Sequence, residues 1–291
     1  MDILTNYTFQ IVALGSIILA VAAAPVGAFS VYKGQSLIGD AIGHSTFPGI
    51  ILAYMGFATR SPVILLAGAI LAGAASYALI QLAHRDKRLG LDANLAIFLS
   101  GFFGLGMALK SFIQGNPDYA GASQAGLGTY IFGQAAYMLE ADVLLIAVVS
   151  ALVLTLLLLF YKELKLFVFD AEYAEVVGLP CRLLNLLLLV MTIAVIGIGI
   201  KAVGAILISS FLIIPCVAAN QWSNNFARVL LLSSLIGAVS ALVGTYISTL
   251  EQGMSTGPSI ILVASLIAFF SIVFGTKGIL GSVLKRRHSH G

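Results

Sequence analysis

Charge is scarce in this chain. Asp, Glu, Lys and Arg make up 9% of its 291 residues, where an ordinary soluble domain carries roughly 25%, which excludes a water-soluble globular fold. Cysteine is nearly absent: Cys181 and Cys216 form neither a paired metal motif nor a disulfide framework. The patterns G-x-x-x-x-G-K-[ST], H-E-x-x-H and G-x-S-x-G and a dinucleotide fingerprint are all missing. Their absence argues against ATP binding by a P-loop in this chain and against the commonest hydrolase and oxidoreductase chemistries, so the chain is not expected to be an enzyme. The net charge of +3 does not indicate nucleic acid, because the basic residues lie in loops beside apolar runs. Only Asp2, and no basic region, precedes the first apolar run, so that run is expected to be a real span and not a cleaved signal peptide.

Long apolar runs are what the chain has instead: 60% of its residues are hydrophobic. The runs are continuous and do not alternate, so the expected fold is an all-α integral membrane protein, a polytopic helical bundle and not a barrel. Nine spans are expected, at about 10–32, 36–57, 62–83, 91–110, 139–161, 183–200, 202–219, 227–249 and 258–275, in a single domain over 1–291. The stretch 202–219 is short and contains Pro215, which suits a broken or re-entrant piece as well as a full span. Nine crossings from an outside N-terminus put Lys33, Arg85, Lys87, Arg88, Lys162, Lys165, Arg182, Arg228, Lys277, Lys285, Arg286 and Arg287 inside, and Arg60, Lys110 and Lys201 outside. Twelve against three is the asymmetry the positive-inside rule expects, with the C-terminus cytoplasmic.

The stretch Ser36-Leu-Ile-Gly-Asp-Ala-Ile-Gly-His-Ser-Thr-Phe-Pro48 is the chain's chemical focus. Asp40 is the only acid well inside an apolar run. Asp40 and His44, four apart, fall on one helix face. An ionised Asp in hydrocarbon costs at least ~2.5 kcal/mol even on the lenient insertion scale, so water, a partner or an ion has to compensate it. Carboxylate plus imidazole is a donor pair for a divalent metal; an Asp–His hydrogen bond that only joins helices fits the same spacing, and both readings stand open here. Gly39 and Gly43 form a Gly-xxx-Gly pair on the neighbouring stripe, suited to close helix packing.

Two connections are long. Residues 111–138, expected outside, are rich in Gly, Gln and Asn and suit either a plain surface loop or a docking surface. Residues 162–182, expected inside, contain Asp170 placed as an N-cap, a short helix from Ala171 to Val177, Gly178 placed to end it, and Pro180. The apolar Tyr173, Val176, Val177 and Leu179 on an inside loop point to a cytoplasmic partner. His84 reads as solvated, and His288 and His290 as part of a mobile tail.

These stretches resemble the membrane permeases of bacterial manganese/zinc/iron ABC importers. The resemblance rests on Ser36 to His44 with Pro48-Gly49, Phe169-Asp-Ala-Glu-Tyr-Ala with Gly178-Leu-Pro180, Gly199-Ile-Lys-Ala-Val-Gly204 running to Leu212-Ile-Ile-Pro215, and Thr256-Gly-Pro258. The family usually has Ser before the His, where this chain has Gly43. The resemblance implies the all-helical fold of cobalamin and siderophore importers and a location in the bacterial cell membrane. It implies a second permease copy, a cytoplasmic ATPase subunit that uses the ATP, and an extracellular metal-binding protein. Residues 169–180 then form the coupling helix, with Asp170, Glu172, Tyr173, Glu175 and Gly178 toward the ATPase, and Asp40 and His44 meet the metal in transit. No tightly bound cofactor is expected, only the transported ion. The stretch Phe132-Gly-Gln-Ala-Ala resembles the manganese-type members, ahead of zinc or iron. Two alternatives from other classes are a proton-coupled carrier using Asp40 and His44 as a relay, and a structural or signalling membrane protein.

Overall fold

The computed structural model describes residues 6–58, 61–84, 90–116, 119, 138–250 and 254–279. Among these the chain forms eleven α-helices and no strand. They are α1 (Tyr7–Tyr32), α2 (Ile38–Phe57), α3 (Pro62–His84), α4 (Leu91–Gly115), α5 (Glu140–Leu159), α6 (Tyr161–Phe169), α7 (Ala171–Val176), α8 (Cys181–Val203), α9 (Ala205–Asn220), α10 (Phe226–Leu250) and α11 (Thr256–Phe274). The stretches Phe132–Ala136 and 285–291 lie outside the described residues.

Seven helices, α1, α3, α4, α5, α8, α10 and α11, are long and apolar enough to cross a membrane. Helix α2 has 20 residues, or about 30 Å at 1.5 Å per residue, and its polar pair dilutes its hydropathy. Helix α9 has only 16 residues, about 24 Å, short of a ~30 Å hydrocarbon core. It is set off from α8 by Gly204, whose φ of +86° breaks the helix; the expected span 202–219 is this short, separate piece. The connection 162–182 holds one more helix than the sequence signals suggest: α5 stops at Phe160 and α6 follows at once.

Helix α1 is the spine of the bundle. It is buried along most of its length and packs on α9, α10 and α5, while α2 packs mainly on α3 and α4. Ala22, Ala23 and Ala24 are fully buried, which lets neighbouring backbones close in. Pro25 within α1 cannot donate to the Val21 carbonyl four residues earlier; Ser234 Oγ of α10 donates to it instead at 3.2 Å. Gly27 touches the backbone of Leu212 in α9, so a Cβ there would overlap the Leu212 carbonyl. Gly39 of α2 meets the same residue through its side chain, a Cβ there lying 2.6 Å from Leu212 Cδ1.

One end of the bundle is tied by aromatic rings and polar side chains. Phe226 of α10 receives Phe29 at 4.9 Å, Tyr32 at 5.0 Å and Phe169 at 5.2 Å between ring centroids, joining α6 to α1 and α10. Tyr32 donates to Asn220 Oδ1 at 2.9 Å, and Lys277 Nζ donates to the same oxygen at 3.3 Å. Lys33, one residue past α1, donates to Asn185 Oδ1, Asn185 donates to Tyr77 Oη at 2.8 Å, and the ammonium lies 4.8 Å from the Phe167 ring centroid. Burial lowers the pKa of this lysine from 10.5 to about 8. At the opposite end Tyr7 donates to Glu140 Oε1 at 2.6 Å.

Two predictions follow from this packing. Gly27→Ala forces backbone against backbone and is expected to cost about 2–3 kcal/mol, whereas Gly39→Ala needs only a rotation of Leu212 and costs about 1 kcal/mol or less; thermal midpoints of the two variants in one detergent test the order. For Lys33 the sign follows from proton linkage. Between pH 8 and 10.5 the unfolded chain holds the proton and the folded chain does not, so stability rises with pH through that window. Below about pH 8 both states are charged, and the burial penalty is constant. Lys33→Met is expected to remove that rise, on the order of 3 kcal/mol across the window. Parallel thermal melts of wild type and variant at pH 7.5 and 10.5 measure it; equal pH slopes refute it.

Candidate functional site

Asp40 and His44 sit in the first two turns of α2, at i and i+4 on one face. His44 Nε2 lies 3.4 Å from Asp40 Oδ1, and the side chains retain 18% and 31% exposure respectively. That separation is longer than a charge-assisted N–H···O bond of about 2.7–2.9 Å. It is the distance that two donors about 2.0–2.2 Å from one cation subtend at roughly 110°. The pair therefore has the bite of a coordinating pair and stays partly open. Among the described residues no third His, Cys, Asp or Glu joins it.

The surroundings hold the pair in place. The His44 ring packs edge-on against Phe103 of α4, with centroids 5.0 Å apart and planes at 80°. The Ser209 hydroxyl of α9 hydrogen-bonds the Asp40 carboxylate. Gly39, beside Asp40, is buried against Leu212, and Gly43 is buried with its carbonyl accepting from Thr46 Oγ1 at 2.6 Å. Ser45 donates to the Ala41 carbonyl at 2.6 Å and pairs with Ser76 Oγ of α3 at 2.7 Å. Both hydroxyls thus bond back to the preceding turn of their own helix. Phe103 and Ser209 carry no signal in the sequence; each is an ordinary residue of an apolar run, brought to the pair only by the fold.

The second candidate surface is α7. Asp170 caps it, its Oδ1 accepting from Tyr173 N at 2.9 Å. The end is closed by Gly178 N donating to the Glu175 carbonyl and Leu179 N to the Ala174 carbonyl, both at 3.0 Å. Gly178 has φ +86°, a conformation that favours glycine. Ala174 is buried, while Glu172, Tyr173, Glu175, Val176 and Val177 are exposed, with Val176 at 83%. Asp170 and Gly178 thus shape the segment, and Glu172, Tyr173 and Glu175 are presented by it. It lies far from Asp40 and His44 in sequence and shares no contact with them among those described here.

A family model described as the ABC 3 transport family matches residues 5–275. The zinc transport system membrane protein TroC of Treponema pallidum is 38% identical over 288 residues, covering 99% of this chain and 96% of TroC. The manganese transport system membrane protein MntC of Bacillus subtilis is 38% identical over 268 residues, covering 92% of this chain and 61% of MntC. Among solved structures, PsaBC from Streptococcus pneumoniae in complex with Fab superposes with a TM-score of 0.81 at 27% identity, over 94% of both chains.

Proposed function

The chain belongs to the ABC 3 transport family, and from that membership we propose that it is the membrane permease subunit of an ATP-driven importer of a divalent metal, manganese or zinc. The named relatives carry manganese or zinc in their titles, and a carboxylate with an imidazole suits either ion. The observation that carries the site assignment is the 3.4 Å donor separation of Asp40 and His44 in a helix that is otherwise apolar. The two groups form a checkpoint for the ion in transit, with an incomplete shell that lets it leave. A proton-coupled carrier, which the pair alone allows, has no use for the exposed capped helix α7.

The chain lacks a P-loop, so hydrolysis belongs to a separate cytoplasmic ATPase, which docks on α7 through Glu172, Tyr173 and Glu175. A second permease copy and an external metal-binding protein complete the assembly in the bacterial cell membrane. The N-terminus lies outside and the C-terminus inside. Supporting this orientation, Lys33 and Lys277 meet at the same end of the bundle as α6 and its Lys162 and Lys165.

Two experiments test the reading. In cells that depend on this transporter, Asp40→Asn and His44→Ala are each expected to reduce radioactive manganese and zinc uptake to the vector background while the protein still reaches the membrane. Wild-type uptake by Asp40→Asn would refute the site. A valine at Gly178 has to adopt a left-handed backbone, costing about 1–2 kcal/mol, and distorts the end of α7. Gly178→Val is expected to uncouple ATP hydrolysis from uptake or to release the ATPase during purification. Normal uptake with normal ATP hydrolysis would remove α7 from the coupling role.

A further inference from the structure

Helix α9 touches the start of α2 at two consecutive residues. Leu212 lies on Gly39, and the Ser209 hydroxyl bonds the Asp40 carboxylate. Ser209 and Leu212 are three apart on α9 and so share one face. Both are buried. The same Leu212 is pinned from behind by the backbone at Gly27 of α1. Ser209 is therefore a placed side chain and not a surface hydroxyl that happens to reach an acid. It is the one described contact from outside α2 that bears on the acid of the pair, as Phe103 bears on the histidine.

We propose that Ser209 is a positioning residue that sets which divalent ion the Asp40–His44 pair accepts. The proposal rests on the metal assignment of that pair. A carboxylate that already accepts a hydroxyl proton is held against rotation and offers the ion one oxygen. One carboxylate oxygen and one imidazole nitrogen at the observed separation form half of a tetrahedral shell, which is the shell zinc prefers. Freed of Ser209, Asp40 turns and chelates with both oxygens. Chelation raises the coordination number and adds a hard donor, and it suits manganese, which is better matched to carboxylate. Ser209 thus tilts the site toward the smaller, four-coordinate ion without touching the ion itself.

The test is a competition between radioactive zinc and manganese in cells carrying the whole transporter. Ser209→Ala is expected to shift the zinc-to-manganese uptake ratio toward manganese by on the order of tenfold, the usual effect of losing a group that orients a ligand. Ser209→Thr keeps the hydroxyl and keeps the ratio. A purely structural role would lower both ions by one factor, leaving the ratio unchanged in the alanine variant; that result overturns the proposal. Asp40→Asn separates the two levels. If it is inactive while Ser209→Ala retains the wild-type ratio, only the role of Ser209 falls; if it transports normally, the metal assignment falls and the proposal with it.

Discussion

A polar group placed in a membrane must be satisfied by the protein or stand open to water, and this bundle is arranged around that requirement. Many of its hydroxyls take the first course. Thr155 bonds back to Ala151, Thr192 to Leu188, Ser240 to Ile236 and Ser271 to Ile267. The carbonyl freed by Pro25 is taken up by Ser234 from another helix. Asp40 and His44 take the second course. Their ring and carboxylate stand farther apart than a tight bond allows and remain partly accessible. Asp40 and His44 thus stand as an ionisable pair left partly open on an apolar helix, whereas the buried Ser16, Ser150 and Thr245 hydroxyls have no hydrogen-bond partner among the described residues.

Holding that pair open requires rigid neighbours, and small residues supply them. The carbonyl of Leu212 rests against Gly27, and its side chain rests against Gly39. Helix α9 is too short to cross a bilayer by itself, yet it is wedged between α1 and α2 and also packs on α10 and α11. Its position is fixed by packing at both faces, not by its own hydropathy. A helix so held can aim a single hydroxyl at Asp40, which a free-standing apolar span would have no means to do.

Much of this was legible in the sequence because membrane spans announce themselves by length. The expected spans 36–57, 62–83 and 227–249 correspond to Ile38–Phe57, Pro62–His84 and Phe226–Leu250. Asp170 and Gly178 signalled the ends of a short helix through side-chain capping and backbone freedom, both of which are local properties. The break at Phe160 was not legible, because Leu159-Phe160-Tyr161 contains neither Gly nor Pro and reads as continuous helix. It is made by tertiary packing, with Tyr161 stacked on Phe226 at 6.3 Å and Leu164 and Phe167 buried. For the same reason the motif spacing of Asp40 and His44 could be read from the chain, whereas Ser209 and Phe103 could not. Their parts in the site are created by contact between helices distant in sequence.

Packed elements join the two candidate regions. Phe169, the last residue of α6 before α7, lies on Tyr32 and Phe226, so the exposed helix α7 is fastened to the end of α1. Helix α1 meets α9 backbone to backbone at Gly27, and α9 meets α2 at Gly39 and Asp40. Close-packed interiors of this kind transmit strain instead of absorbing it. The packed path from α7 to Asp40 therefore runs through α6, α1 and α9.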